Sequence, residues 1–492
     1  MLFNSYEFIF LFLPITFAVY FFLNHRRYTL AGKTWLTLAS LFFYSWWDIK
    51  YLPLILLSII FNYAAGAAMA REKGGADETL RVARRRRLIL IIGISGNLLL
   101  LGYYKYVDFF IKNINHIVGA DLNLLHIILP LGISFFTFTQ IAYLVDVYKG
   151  IAREYDFINY GLFVTFFPHL LAGPIIHHKE MMPQFDRQRN KLINYKNISL
   201  GLYLFVIGLA KKVLIADTFA VWATNGFDHA PELNFLEAWA TSLSYSLQLY
   251  YDFSGYTDMA LGSSWIFNIR LPINFNSPYK ALDIQDFWRR WHITLTRFLR
   301  DYLYIPLGGN RVPLPHNLAN IMMTFLLGGF WHGAGWTFVF WGFLHGLAMA
   351  AHRLWHGLGF RLPNAVAWFL TFQFVNVTWV FFRAKTWPDA IKVLKGMAGL
   401  NGLVLPYGLN QKLAFLKNYG VTFGAWITNV GGNLETFVLI AVFLAIAAFC
   451  KNSNEMSNNF KPSLVSGAFT LALSIGCFLS MGKVSEFLYF NF

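Results

Sequence analysis

Gly328-Gly329-Phe330-Trp331-His332-Gly333-Ala334-Gly335-Trp336 sets one titratable side chain inside an apolar run, and no charged residue stands between Asn317 and Leu344. Four glycines and an alanine let other backbones, or a ligand, come close to it. An ionisable residue at that depth costs free energy, which makes His332 a functional-site candidate. The alternative is a core histidine bonded to a neighbouring helix. The rest of the chain has the same character. Of its 492 residues 57% are hydrophobic, 19% aromatic and only 13% charged, against about 25% charged in soluble proteins. Several segments reach the ~20 residues that cross a bilayer, and they are too long for the ~10-residue alternating strands of a barrel. The expected fold is an all-α integral membrane protein, a polytopic bundle of about 11–13 membrane segments including re-entrant and amphipathic helices.

The net charge of +15 does not point to nucleic acid, because the positive residues fall in short loops between apolar runs, the positive-inside pattern. Cys450 and Cys477 each sit in an apolar segment and suggest neither a disulfide framework nor a metal site. Residues 8–23 read as a retained first helix, not a cleaved signal peptide. Runs follow at 34–47 and 51–70, then the basic stretch from Arg71 with Arg84-Arg85-Arg86-Arg87. That block puts 71–87 in the cytoplasm and the N-terminus outside. Residues 88–105 lead outward, 106–125 read as interfacial and 126–147 return. The run 161–176 is short, holds Pro168, Gly173 and Pro174, and has basic loops on both flanks. It reads as a re-entrant segment, tolerated where protein or a water cavity surrounds it, so Pro174 is a candidate wall of a site.

Residues 198–220 and 236–251 read as an outward and a returning helix. Asp252, Ser254, Tyr256 and Asp258 follow, either as glue between helices or as cavity lining. From Phe287 to Arg300, apolar Phe287, Trp288, Trp291, Leu295, Phe298 and Leu299 recur near helical period, with Arg289, Arg290, Arg297 and Arg300 between them. Such a basic amphipathic helix lies along a membrane interface or folds into a cytoplasmic face, and it suits an anionic ligand. Runs 318–331 and 336–352 flank His332, and Gly329/Gly333 and Gly342/Gly346 are spaced for close helix packing. His345 and His352 can share a face. Residues 364–382, 435–450 and 463–481 are further apolar runs, with a mixed loop over 383–434. His177-His178 reads as interfacial beside Lys179, its side chains pointing apart, and no metal is implied.

These stretches resemble the membrane-bound O-acyltransferase family, in the branch that includes the alginate O-acetyltransferase membrane subunit and the D-alanyl-transfer protein of teichoic acids. The resemblance rests on Phe167-Pro-His-Leu-Leu-Ala-Gly-Pro-Ile175, Tyr251-Asp-Phe-Ser-Gly-Tyr-Thr-Asp-Met-Ala260, Asn274-Phe-Asn-Ser-Pro-Tyr279, Phe287-Trp-Arg-Arg-Trp-His-Ile-Thr-Leu295, Phe330-Trp-His-Gly333 and Glu486-Phe-Leu-Tyr-Phe-Asn-Phe492. It implies one polytopic domain over 1–492 enclosing a funnel or tunnel, with N-terminal helices over 1–125, a catalytic core over 126–383 and C-terminal helices over 384–492. It implies a catalytic role for His332 at the funnel's bottom and, with it, for His292. Trp331, Trp288, Arg289, Arg290, Asn274, Asp252, Ser254, Tyr256 and Pro174 are the candidate lining residues.

The implied reaction moves an acyl group, acetyl in the simplest case, from a cytoplasmic thioester such as acetyl-CoA to a hydroxyl of an extracytoplasmic polysaccharide or partner protein. No permanently bound cofactor is implied. The setting would be the bacterial inner membrane, with lipid and a periplasmic acetyltransferase or acyl-accepting protein as partners. His332 can act as general base, and apolar walls such as Phe330 and Trp331 would exclude water. No Gly-x-Ser-x-Gly elbow and no catalytic cysteine is evident, so direct transfer is expected, with an acyl-histidine intermediate as the second route. Two other classes compete: a transporter with a His332/Asp252 relay, and a non-catalytic scaffold. Few intramembrane acids and no internal repeat weigh against the transporter.

Overall fold

The structure, a computed structural model, describes residues 1–71, 80–154, 156–482 and 487–488. It is helical almost throughout, as the apolar runs require. Among the described residues the only strands are Leu403–Pro406 and Val421–Gly424, paired in parallel. Five stretches there are long and apolar enough to cross a membrane: Glu7–His25, Ile49–Arg71, Leu80–Val118, Tyr195–His229 and Asn364–Arg383. Most of the C-terminal stretch from Glu486 lies outside the described residues.

Several boundaries differ from the expectation. The segment read as interfacial over 106–125 is partly a continuation of the preceding helix, carried through a π turn at Gly102–Tyr106 to Val118; such a turn absorbs an extra residue without ending the helix. The returning helix starts only at Ile133, after Pro130 and a left-handed Gly132. The 383–434 loop contains a helix, Trp387–Met397. Thr386 and Asp389 start it with a reciprocal capping box, which satisfies backbone N–H groups that a helix otherwise leaves bare.

The chain forms two compact units. The first comprises Met1–Leu209, Tyr256–Ile273 and Phe460–Phe492. Its core is aromatic: Phe167 meets Phe8, Phe12 and Phe43 with ring centroids 5.9, 5.1 and 5.7 Å away. The segment over 161–176 is broken into Phe157–Thr165 and Phe167–Leu170, of nine and four residues. Neither approaches the ~20 residues of a crossing. His177 and His178 correct the interfacial reading, for both are buried. His177 faces Asp146 at 3.4 Å and His178 faces Glu154 at 3.1 Å, and these carboxylates offset the loss of water. Their side chains do point apart, to different partners.

The second unit comprises Ala210–Gly255 and Asn274–Asn459. At its centre helices Leu314–His332 and Trp336–Gly357 form a hairpin turned by Gly333-Ala334-Gly335. Their backbones touch. A Cβ on Gly329 would collide with the Phe338 carbonyl oxygen, and one on Gly342 with the Phe325 carbonyl oxygen. The small-residue spacing in the sequence is thus a helix–helix contact. The basic amphipathic stretch 287–300 is not one helix. It divides into Ile284–Arg290 and Ile293–Leu299, with His292 between them in the left-handed region at φ 42° and ψ 53°. Its aromatic residues Phe287, Trp288 and Trp291 face protein and are buried.

Replacing Gly342 by Val should therefore force the hairpin apart and destabilise the protein by about 1–3 kcal/mol, the usual cost of overpacking. Thermal melting in detergent checks this. Gly467→Ala is the control, since a Cβ there meets nothing within 4 Å.

Candidate functional site

The hairpin ends its first helix on His332, so the sequence that lets the two backbones touch also fixes where the imidazole sits. The ring is enclosed by Trp331, Trp341 and Phe382, with centroids 4.9, 5.2 and 5.2 Å away. His332 is 5% exposed. It lies at the buried end of a cavity of about 440 Å³, which Gly328, Phe325, Trp288 and Trp341 also line. Arg289, Arg300, Arg353 and His356 line the same cavity and are exposed. The cavity thus runs from a cationic, water-facing end to an aromatic end holding one imidazole. Among the described residues Arg289 and Arg353 have no carboxylate partner, whereas Arg300 binds its neighbour Asp301 at 2.7 Å.

His292 stands beside this end, its ring centroid 6.5 Å from that of His332. The left-handed turn that aims it is held by the 274–276 segment. Ile293 N–H donates to the Asn274 carbonyl at 2.9 Å, and Asn276 N–H to the Arg290 carbonyl at 2.9 Å. The Asn274 side-chain oxygen accepts from Thr294 N–H at 3.2 Å and from the Thr294 hydroxyl at 2.8 Å. A backbone N–H can only donate, so the atom facing it is Oδ1. His292 Nδ1, 3.2 Å from that same oxygen, is therefore the protonated nitrogen, and Nε2 keeps the lone pair. Burial pushes this imidazole down to about 3, so the ring is neutral near pH 7.

The candidates named from sequence separate into groups. His332, Trp288 and Arg289 line the cavity. His292 and Asn274 form the bonded pair beside it, and Trp331 packs against both histidines, 4.9 Å from His332 and 6.3 Å from His292. Arg290 turns away, its Nε 2.9 Å from both Asp286 oxygens. Asp252 is buried against Lys212 at 2.8 Å, and Asp217 takes the same ammonium at 2.9 Å; a buried charge of this kind is held by its counter-ions. Ser254 is buried but does not line the cavity, and Tyr256 and Pro174 belong to the first unit, where the Tyr256 hydroxyl accepts from Ala172 N–H at 3.3 Å.

Sequence reasoning noted His352 only as able to share a face with His345 and passed over Trp341, Met349, Arg353 and His356; all five share one face of Trp336–Gly357 and line the cavity. The recurrence of polar residues at helical spacing in an apolar helix was the available signal. His345 has a different place. The Trp288 indole N–H donates to its Nδ1 at 3.2 Å, and its Nε2–H donates to the Thr378 hydroxyl at 3.0 Å, which in turn donates to the Val375 carbonyl at 2.9 Å. Because an indole only donates, every direction in this chain is fixed, and the wall at Trp288 is tied to two other helices.

Comparisons with known proteins bear on this chain. The family model described as MBOAT, membrane-bound O-acyltransferase family, matches residues 42–383. A peptidoglycan O-acetyltransferase of Helicobacter pylori is 48% identical, covering 100% of this chain and 98% of that protein. A probable alginate O-acetylase of Pseudomonas aeruginosa is 40% identical over 81% of this chain and 75% of its own. A teichoic acid D-alanyltransferase of Bacillus subtilis is 28% identical over 52% and 69%.

The Asn274–His292 bond makes a pH-dependent prediction. Asn274→Asp would set a carboxylate against Nδ1 and stabilise the imidazolium, so the ring would protonate at higher pH than in the wild type. The acid limb of the pH–activity profile should move up by about 1–3 pH units, read from initial rates of acyl transfer across the acid range.

Proposed function

This chain belongs to the membrane-bound O-acyltransferase family, is a multi-pass membrane acyltransferase, and acts by O-acyl transfer to polysaccharide; from that premise we propose that it moves an acetyl group from a cytoplasmic thioester to a hydroxyl of cell-envelope peptidoglycan, with His332 as the catalytic base. The observation that carries this reading is the polarised cavity, cationic where it meets water and aromatic where it reaches His332. An acyl thioester on a phosphorylated carrier such as coenzyme A has the matching polarity. Its phosphates suit unpaired Arg289 and Arg353, and its acyl end suits the dry pocket of Trp288, Phe325 and Trp341. Peptidoglycan as acceptor follows the printed activity of the Helicobacter relative. In this reading the membrane is the bacterial inner membrane, and the positive-inside rule turns the cavity mouth to the cytoplasm and the N-terminus outside.

The chemistry is an acyl exchange. The neutral His332 imidazole removes the acceptor's hydroxyl proton as that oxygen bonds to the thioester carbonyl carbon. The C–S bond breaks, the thiolate takes the proton from the imidazolium, and the ring is neutral again. General-base help of this kind is worth ~10²–10⁴ in rate. His292, oriented by Asn274, lies close enough to steady the charge that develops on His332. The aromatic enclosure excludes water, which protects the activated acyl group from hydrolysis. A periplasmic protein that passes the acetyl group onward completes the reaction where the acceptor polymer lies away from the membrane.

The test uses the full chain in proteoliposomes, with labelled acetyl thioester supplied on one side and soluble peptidoglycan fragments on the other. His332→Ala should lower label in the fragments by ~10²–10⁴ at matched membrane content. Arg289→Gln with Arg353→Gln should raise the donor KM and leave kcat near wild type. Transfer within tenfold of wild type in His332→Ala would reject the mechanism and return the scaffold reading.

A further inference from the structure

A second polar cavity lies in the first unit, between the 184–197 stretch and the turn at 268–270. It measures about 240 Å³, and every side chain lining it is Arg, Asn or Gln. Three guanidinium groups converge there, from Arg187, Arg189 and Arg270. Among the described residues none of the three has a carboxylate partner. The nearest acid in sequence, Asp186, is taken by Lys33 at 2.7 Å. Three positive charges around one polar hollow, with no acid among its lining residues, leave an anion-binding space.

The hollow is built, not a chance meeting of long side chains. Asn268 is 5% exposed and sits in the left-handed region at φ 63°. Its amide donates to the carbonyls of Asn190 at 3.0 Å and Leu192 at 2.8 Å, and its oxygen accepts from Asn197 at 2.8 Å. Gln184 pairs with the Arg270 backbone in both directions, at 3.0 and 2.9 Å. The Arg270 guanidinium stacks on Trp265, 4.6 Å from the ring centroid, which fixes its plane and leaves its N–H edge for a ligand. Asn194, on the cavity wall, caps the helix that runs from Tyr195 to His229. The positive end of that helix dipole adds to the same field.

An apolar hollow of about 590 Å³ flanks the same loop, lined by Phe17, Phe21, Phe22, Leu192 and Ile193 with Lys191 and His25 at its edge. Leu192 is 62% exposed and Ile193 49%, so this apolar surface is open at the loop. A ligand that uses both hollows is amphiphilic, with an anionic head and an apolar tail. Arginine forks pair bidentately with the oxygens of a phosphate, and a phosphodiester is the anionic group that a lipid headgroup carries beside its acyl chains. We propose that Arg187, Arg189 and Arg270 bind the phosphate of an anionic phospholipid whose acyl chains lie along Phe17, Phe21 and Phe22. The positive-inside rule puts this site in the cytoplasmic leaflet, where anionic headgroups hold basic segments at the surface. The proposal stands apart from the acyl-transfer cavity and does not depend on the function assigned to it.

The experiment is thermal melting of the purified full chain in neutral detergent, titrated with phosphatidylglycerol, with phosphatidylcholine of the same acyl chains, or with inorganic phosphate. Phosphatidylglycerol should raise the melting temperature of the wild type and phosphatidylcholine should not. In Arg187→Gln/Arg189→Gln/Arg270→Gln the phosphatidylglycerol response should need roughly tenfold more lipid for each charge removed, with an unchanged melting temperature in detergent alone. Arg189→Gln by itself, at a side chain that makes no bond among the described residues, carries the test if the triple variant melts early without lipid. Ile193→Ser should weaken the lipid response and leave any response to inorganic phosphate intact, which separates a lipid headgroup from a free phosphate. A response to inorganic phosphate alone, lost in the arginine variants, supports the phosphate site and overturns its lipid source. An equal response to both lipids, or a phosphatidylglycerol response that survives loss of the arginines, overturns the proposal.

Discussion

Backbone contact between helices Leu314–His332 and Trp336–Gly357 controls the geometry of the cavity at His332. At Gly329 and Gly342 the helices are so close that neither position has room for a methyl group. In an apolar medium this packing has to come from dispersion and shape, since lipid offers helices no hydrophobic reward for meeting. The contact ends the first helix on His332 and turns Trp341 and His345 from the second helix toward it. Trp288 is then tied to His345, and His345 to Thr378. The cavity wall is held by directional bonds across three elements, so the space at His332 is preformed.

Several buried polar groups are held in the same way. His292 keeps its place in a left-handed turn because Asn274 offers one oxygen to three donors. Lys212 is buried between Asp217 and Asp252. His177 and His178 each face a carboxylate. In every case the group that would suffer most from losing water is bonded to a partner distant in sequence or on another turn. Five exposed arginines of the two cavities differ: among the described residues Arg289, Arg353, Arg187, Arg189 and Arg270 have no carboxylate partner, and they line the cavities.

Much of the fold was legible because crossing a membrane demands helices of a fixed length, and apolar runs of that length have few other readings. The depth of His332 was legible for a related reason, as the one titratable group in a long uncharged run. The break at His292 was not. A left-handed histidine carries no local signal of Gly or Pro, and its stability comes from Asn274, eighteen positions earlier. Asp252 was placed with the candidate lining because its partner Lys212 lies forty residues away. The Trp387–Met397 helix was missed although its capping pair Thr386 and Asp389 stood in the sequence. The catalytic assignment of His332 came from resemblance, not from spacing, and the geometry adds the cavity that such a role requires.

The central claim is that His332, at the buried end of the cavity, and His292, beside it, act as one unit. Its most direct test is a double-mutant cycle on the acyl-transfer rate, with His332→Ala, His292→Ala and the pair measured at matched membrane content. Groups that work as a unit are strongly non-additive. The account predicts that the double variant is no more than a few-fold slower than His332→Ala alone. Losses that multiply, with the double variant slower by the full product of the two single effects, would contradict it and separate the two histidines into independent roles.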